Sequence, residues 1–478
     1  MQRKQACDVL IMSLVAQFLF YPTIFSPIRD LISGTIMAAT SVPQLIAYAE
    51  TVGYAGYKGL ATAGPPLLAW GVVTGSPYMN AGVTSITALM AKSDLDGESY
   101  VQEFGEDKYI TLVAAYSMYV GLASIFLAVI GFANLASLVP KPVRSGFKWG
   151  CAFGVLVSAL PNGLFAKGSG ELKQLVASSA VWGELVTQLK ATVPAATGAV
   201  NVAGFFYALL NPWDWCLVPT IMFVAGTWFV MEGKAYLPKF FPPGTEVIIA
   251  TGAATLYSMY FEYPGGIVGE IPAMDPDAGI QVFGMSLPVN LLDYKDILNA
   301  PVAERMGGWP ILFVTATLFA AVNFLSIMGI ASGFETENGI TWSAPRELIT
   351  QGVACGVAAM VGSAPVSGSM SRSLVSRMTG ATSQLACILT ALIWITMLPY
   401  MSIMTPTPKA ILSSVIVSAV VKGIANPKDL MNATGLDFYI GWATGIVTAV
   451  TSPTIGFAGG LILYFALFPL RPKKDKKD

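Results

Sequence analysis

Apolar residues run along this chain in stretches of about twenty, separated by short polar or Gly/Pro-rich connections. A helix needs roughly 20 mostly apolar residues to cross a bilayer, and fewer when surrounding protein buries it. The pattern predicts helical spans at 31–49, 59–75, 82–91, 109–134, 146–163, 212–232, 246–261, 310–330, 347–363, 368–378, 383–400, 408–422, 437–450 and 452–468. This describes an all-α polytopic membrane protein of about fourteen segments. The stretch 195–210 is apolar too, but Pro and Gly interrupt it, and it reads as a re-entrant or interfacial piece.

Two segments, 82–91 and 368–378, are too short to cross alone, and they resemble one another. The first follows Gly75-Ser76-Pro77 and opens Gly82-Val83-Thr84-Ser85; the second follows Gly362-Ser363-Ala364-Pro365 and opens Gly368-Ser369-Met370-Ser371. An offset of 286 residues superposes Gly82 on Gly368. Short, Gly/Pro-interrupted segments at matching places in two halves of a membrane protein point to a transporter's binding site.

Composition agrees with the pattern. The 478 residues are 54% hydrophobic and 12% charged, about half the charged share of an average soluble domain. A net charge of -1 offers no basic field for nucleic acid. The five cysteines are scattered without paired spacing, so neither a disulfide framework nor a zinc site is expected. Histidine is absent, which removes imidazole ligands and His-based relays. No cofactor, metal or catalytic residue is expected, because no nucleophile has a base beside it.

The N-terminal segment, residues 1–28, carries Arg3 and Lys4 before an apolar run from Val9 to Tyr21. Asp8 interrupts its start and no small-x-small cleavage site follows, so it reads as an interfacial helix rather than a signal peptide. Residues 29–470 form the membrane domain and 471–478 a basic tail. Basic residues cluster at both termini and at Lys141-Arg144-Lys148, which the positive-inside rule sets in the cytoplasm. The acidic loop Leu95 to Lys108 then lies on the opposite side, and Glu262 to Arg305 is extramembrane as well.

All 28 carboxylates fall in loops or at span ends, whereas Arg372 lies inside a span. A guanidinium at membrane depth costs from about 2.5 to well over 10 kcal/mol. Helix N-termini add about half a positive charge and up to four free N–H donors. Two short helices meeting N-terminus to N-terminus beside Arg372, with Ser369, Ser371, Thr84 and Ser85 as hydroxyl donors, would hold an anion. The plainer alternative has Arg372 bonding carbonyls of a broken helix. Arg377, nearer a span end, reads as snorkelling to the interface.

At these residues the chain resembles the SulP sulfate-permease family, whose animal branch is the solute carrier 26 anion exchangers. Arg29-Asp30-Leu31-Ile32-Ser33-Gly34 leading to Val42-Pro43-Gln44-Leu45-Ile46-Ala47-Tyr48-Ala49 is similar to the family's first-span signature. Lys141-Pro142-Val143 with Gly146-Phe147, Val268-Gly269-Glu270-Ile271-Pro272, and Arg346-Glu347-Leu348-Ile349 resemble later motifs. So do Ser369 to Val375, Pro408-Lys409-Ala410-Ile411-Leu412, and Leu436-Asp437-Phe438, all in the family's order. The resemblance implies two inverted seven-span repeats divided into a core and a gate. An inorganic anion would sit between the first, third, eighth and tenth spans, and core movement against gate would alternate access. By position, Gln44 and Tyr48 would line the site from the first span, with Val83 and Thr84 presenting N–H groups from the third. Ser369, Ser371 and Arg372 would do so from the tenth.

Three departures accompany the resemblance. The family's acidic residue of the eighth span falls on Ser326, which puts cation or proton coupling in doubt. Val83 stands where a proline usually follows the glycine of the third span. The STAS domain that usually follows the last span is absent from a sequence ending at Asp478, either naturally or by truncation. The expected activity is secondary transport of an inorganic anion, sulfate by default, with bicarbonate, chloride or oxalate fitting the same donors. An uncoupled channel or voltage-responsive motor on the same scaffold is the alternative. A nucleobase permease would share the architecture, but its site favours buried acids. The expected partners are the anion and the lipid bilayer; a homodimer, like the membrane of residence, stays open.

Overall fold

The computed structural model describes residues 26–470 apart from 133–138, 193–197, 239–240, 242–243, 272–279, 283–284, 288 and 339–341. The N-terminal interfacial helix expected before residue 26 and the basic tail from 471 lie outside the described residues.

Helices of eight residues or more are numbered here. The first half contains α1 (Pro27–Val52), α2 (Gly56–Val73), strand β1 (Ala81–Gly82), α3 (Ser85–Asp94), α4 (Gly97–Phe104) and α5 (Glu106–Val129). It continues through α6 (Lys141–Leu164), α7 (Ser169–Ser178), α8 (Ala180–Thr192), α9 (Ala199–Leu210), α10 (Leu217–Glu232) and α11 (Thr245–Tyr260). After a connection with a hairpin of β2 (Ile280–Val282) and β3 (Met285–Leu287) come α12 (Trp309–Asn338) and α13 (Ala344–Met360). Then follow β4 (Ser367–Gly368), α14 (Met370–Met378), α15 (Leu385–Met397), α16 (Lys409–Ala425), α17 (Leu436–Val450) and α18 (Pro453–Ala466).

Among the described residues, five helical stretches are long and apolar enough to cross a membrane by themselves, or six if α6 and α7 count as one span bent by 95°. Several shorter apolar helices accompany them, and the chain is a multi-pass integral membrane protein. The apolar stretch 195–210, read as a re-entrant or interfacial piece, contains the short continuous helix α9 from Ala199 to Leu210. The bend between α6 and α7, and the helices α7 and α8 themselves, carry no long apolar run and were not expected.

The helices pack as two sets. In one, α1 and α2 lie against α15, and α13 lies against α2 and α5, with α12 on α5. In the other, α6 is central, packed by α16 and α17, with α10 against α16 and α18 against α17. Close approach in the second set depends on Gly146: a Cβ there would stand 2.0 Å from the Gly441 carbonyl oxygen, so no larger residue fits. In the first set Trp394 on α15 donates its indole N–H to the Ala38 carbonyl of α1 at 3.0 Å.

Polar side chains anchor the ends of the first set. Asp30, fully buried, accepts from the Ser383 backbone N–H at 3.2 Å and its hydroxyl at 2.6 Å, holding the start of α15. At the end of α2, Arg346 donates to the Val73 and Thr74 carbonyls at 2.7 and 3.1 Å. Its neighbour Glu347, also fully buried, accepts from the Gly75 N–H at 2.8 Å and the Thr74 hydroxyl at 2.9 Å. These carboxylates sit at helix ends, as expected, yet they are desolvated, so each works as a fixed staple. The Arg346–Glu347 clamp orients the loop that leads from α2 into β1.

Candidate functional site

The two short segments meet. β1 and β4 pair antiparallel, Ala81 opposite Gly368 and Gly82 opposite Ser367. Their helices begin within three residues of the pairing, α3 at Ser85 and α14 at Met370. Two flanking contacts extend the pairing: Ser369 donates its N–H to the Asn80 carbonyl at 2.9 Å, and the Asn80 N–H donates to the Ser373 hydroxyl at 3.0 Å. From α12, the Asn323 amide donates to the Val366 carbonyl at 2.8 Å and fixes the strand before it turns into α14.

Arg372 lies in the first turn of α14 and is 1% exposed. Its Nη2 donates to the Val83 carbonyl across the junction at 3.1 Å. Its Nε and Nη1 are buried and bond to nothing among the described residues. Gly82 makes room for the guanidinium: its φ is +154°, and a Cβ there would meet Nη2 at 3.0 Å and Nη1 at 3.2 Å. Tyr48 of α1 is buried, within electrostatic reach of Arg372, with the Ser85 side chain near its hydroxyl. This brings α1 beside the first residue of α3.

Other polar atoms, Asn80 Oδ1 and Ser367 Oγ at the junction and Ser41 Oγ and Gln44 Oε1 on α1, are also buried without partners among the described residues. An unpaired buried polar atom costs about 1–3 kcal/mol, so such a group of donors and acceptors is a place for a polar guest. Ser41, Gln44 and Tyr48 share one face of α1 by their spacing of three and four. Ser41 was legible from that spacing; Asn80 and Ser367 were not, since only the strand pairing brings them in.

The structure uses some expected donors otherwise. The Thr84 N–H donates to the Thr87 hydroxyl at 2.9 Å, and the Thr84 hydroxyl caps Thr87 in turn, a capping box that starts α3 without a proline at Val83. The Ser369 N–H is spent on Asn80. Val83 offers its carbonyl to Arg372, so part of the arginine does bond backbone at a broken helix. Ser326 is half-buried on α12, one turn from Asn323 on the face turned to β4. Ser371 is helical within α14, and its side chain lies outside the described residues. Among the described residues no group of His, Cys, Asp or Glu could hold a metal ion.

The family model for the sulfate permease family matches residues 28–444, most of the chain. The chain belongs to the sulfate permease family. Human solute carrier family 26 member 6 is 24% identical across 94% of this chain and 56% of its own length. A probable sulfate transporter of Mycobacterium tuberculosis is 26% identical across 82% of this chain and 61% of its own. Zebrafish (Danio rerio) prestin is 23% identical across 81% and 49%. The chain thus spans about half to three fifths of the length of these curated relatives.

The fold agrees with that membership. The structure of SLC26A9 superposes with a TM-score of 0.74 at 17% identity, covering 98% of this chain and 70% of that one. The transmembrane domain of the cyanobacterial bicarbonate transporter BicA superposes with a TM-score of 0.66 at 18% identity, covering 90% and 97%.

Proposed function

We propose that this chain moves a small inorganic anion across a membrane by alternating access, with the anion held at the β1–β4 junction beside Arg372. The observation that carries this reading is the buried guanidinium with two unpaired nitrogens, Nε and Nη1. A desolvated cation without a counter-ion is costly, and an anion seated there offsets that cost. The starts of α3 and α14 add positive potential from two directions. Gln44, Tyr48, Val83, Thr84, Ser326, Ser369 and Ser371 form the surrounding set, with Ser41, Ser85 and Ser367 added to it.

The two packed sets support a division into a core, α1–α3, α5 and α12–α15, and a gate, α6, α10, α11 and α16–α18. On this reading the chain has fourteen spans in two inverted repeats of seven, related by the offset of 286 residues. The anion rides with the core as it shifts against the gate. Several relatives are named as sulfate transporters, which makes sulfate the first substrate to test, followed by bicarbonate, chloride and oxalate.

The test is uptake of radiolabelled sulfate into proteoliposomes preloaded with each anion, comparing native protein with Arg372→Ala. Saturable, trans-stimulated uptake lost in the variant is the expected result. Uptake unchanged in Arg372→Ala would remove the site from α14. The likeness to prestin keeps one second reading, uncoupled anion passage or a voltage-driven motor; current or charge movement without counterflow would favour it.

A further inference from the structure

A cavity of about 160 Å³ lies between the two helix sets, away from the β1–β4 junction. That is roughly ten times what one water molecule needs on the same measure. Ala47 and Glu50 of α1, Leu89 and Lys92 of α3, and Ser158 and Asn162 of α6 line it, with further residues from α16 to α18. Its inner end reaches Ala47, adjacent in sequence to Tyr48, and Leu89, one turn past Ser85. Lys92 stands seven residues beyond Ser85, about 10 Å farther along the helix axis.

Among the described residues, the charged side chains lining this cavity are paired except Lys92. Glu50 takes Lys409 at 3.1 Å, Asp96 takes Arg305 at 3.1 Å, and Glu98 takes Lys173. Asp94 is turned to the Tyr116 and Thr454 hydroxyls at 2.7 and 3.0 Å and does not line the cavity. Lys92 makes no hydrogen bond or ion pair with the described residues, although it is half-buried and Glu98 and Lys173 are within electrostatic reach. The cavity wall with its paired partners therefore carries one surplus positive charge, on Lys92, with the Asn162 amide also lining the wall; the Ser158 hydroxyl is already donated to the Gly154 carbonyl at 2.7 Å.

We propose that this cavity is a second, outer site for a small inorganic anion, held by Lys92 and the Asn162 side chain before it passes to Arg372. This rests on the transport reading of the Arg372 junction, but the site itself is tested without transport. An anion here meets an unpaired ammonium in the last turn of α3, on the helix whose first turn faces the junction. Entry from the cavity side becomes two steps between two cations, and the outer one sets the capture of substrate from that side.

The experiment measures acetylation of Lys92 by an uncharged amine-reactive reagent, read by mass spectrometry of the purified full chain. Sodium sulfate and sodium bicarbonate are compared with sodium gluconate at matched ionic strength, in native protein and in Arg372→Ala. The expected result is severalfold protection of Lys92 by sulfate or bicarbonate in both proteins. Equal labelling in all salts while Arg372-dependent uptake persists would overturn the outer site and leave the transport reading standing. Protection that disappears in Arg372→Ala would also overturn it, since the cavity would then have no affinity of its own. Protection without any flux would uphold the site and sink the transport reading. In uptake assays Lys92→Gln should raise KM severalfold for anion arriving from the cavity side only, with Lys92→Arg restoring it; a fall in Vmax from both sides, unrescued by arginine, counts against the proposal.

Discussion

Gly82 and Arg372 are in contact across the strand pair: a methyl group on Gly82 would stand 3.0 Å from the guanidinium Nη2. The backbone there, at φ +154°, is one that a side chain rarely adopts. The glycine is thus the floor on which the arginine lies. Gly82→Ala should keep the protein folded, since the change is one methyl, yet displace the guanidinium and lower the uptake rate about tenfold. Normal uptake in that variant would mean the arginine tolerates another position.

Arg372→Lys provides a finer probe than alanine. Lysine keeps the charge but cannot bond the Val83 carbonyl and present two more donors in one plane. Weakened anion affinity with residual, saturable uptake is expected, read as a raised KM. A variant as inactive as Arg372→Ala would show that geometry, rather than charge, governs the site.

Glu50 on α1 and Lys409 on α16 form an ion pair, at 3.1 Å, between the two helix sets. The pair is partly screened from water, so a coupling of about 1 kcal/mol is expected, at the upper end for accessible pairs. Glu50→Gln and Lys409→Gln should each lower thermal stability and change the uptake rate. The charge reversal Glu50→Lys with Lys409→Glu should restore both toward native values. Failure of the reversal to restore either would show that the two residues act separately.

Glu347→Gln tests the staple after α2. The neutral amide retains one acceptor where the carboxylate accepts from both Gly75 and Thr74. Loss of charge-assisted bonds in a buried place should cost about 2 kcal/mol of stability, measured by denaturant unfolding in detergent. Thr74→Val should cost less, because the Gly75 bond persists.

Much of this architecture is readable from the chain because lipid leaves few alternatives: a backbone in hydrocarbon must bond to itself. The segments expected at 31–49 and 347–363 fall within a few residues of helices α1 and α13. The paired short segments were visible as a repeat of glycine, proline and hydroxyl residues, and Gly82 and Gly368 do sit in facing strands. Periodicity failed where helices are short or bent, as in α7 and α8, whose mixed polarity resembles a loop. It also could not say which N–H groups stay free. Thr84 and Ser369 look like open donors in one dimension, and the capping box and the strand pairing take both. Asn80 and Ser367 were hidden for the complementary reason: their setting is made by residues nearly three hundred positions away.

That separation has a consequence for how the protein is made. β1 has no partner until β4, 285 residues later, has been synthesised and inserted. At roughly 5–20 residues per second, the interval is about 15–60 s. During it, the first half holds β1 with its pairing groups unmatched. The junction at Arg372 therefore closes only late in synthesis, with α15 to α18 still to follow, and a chain that stalls between the halves leaves β1 unpaired for quality control to find.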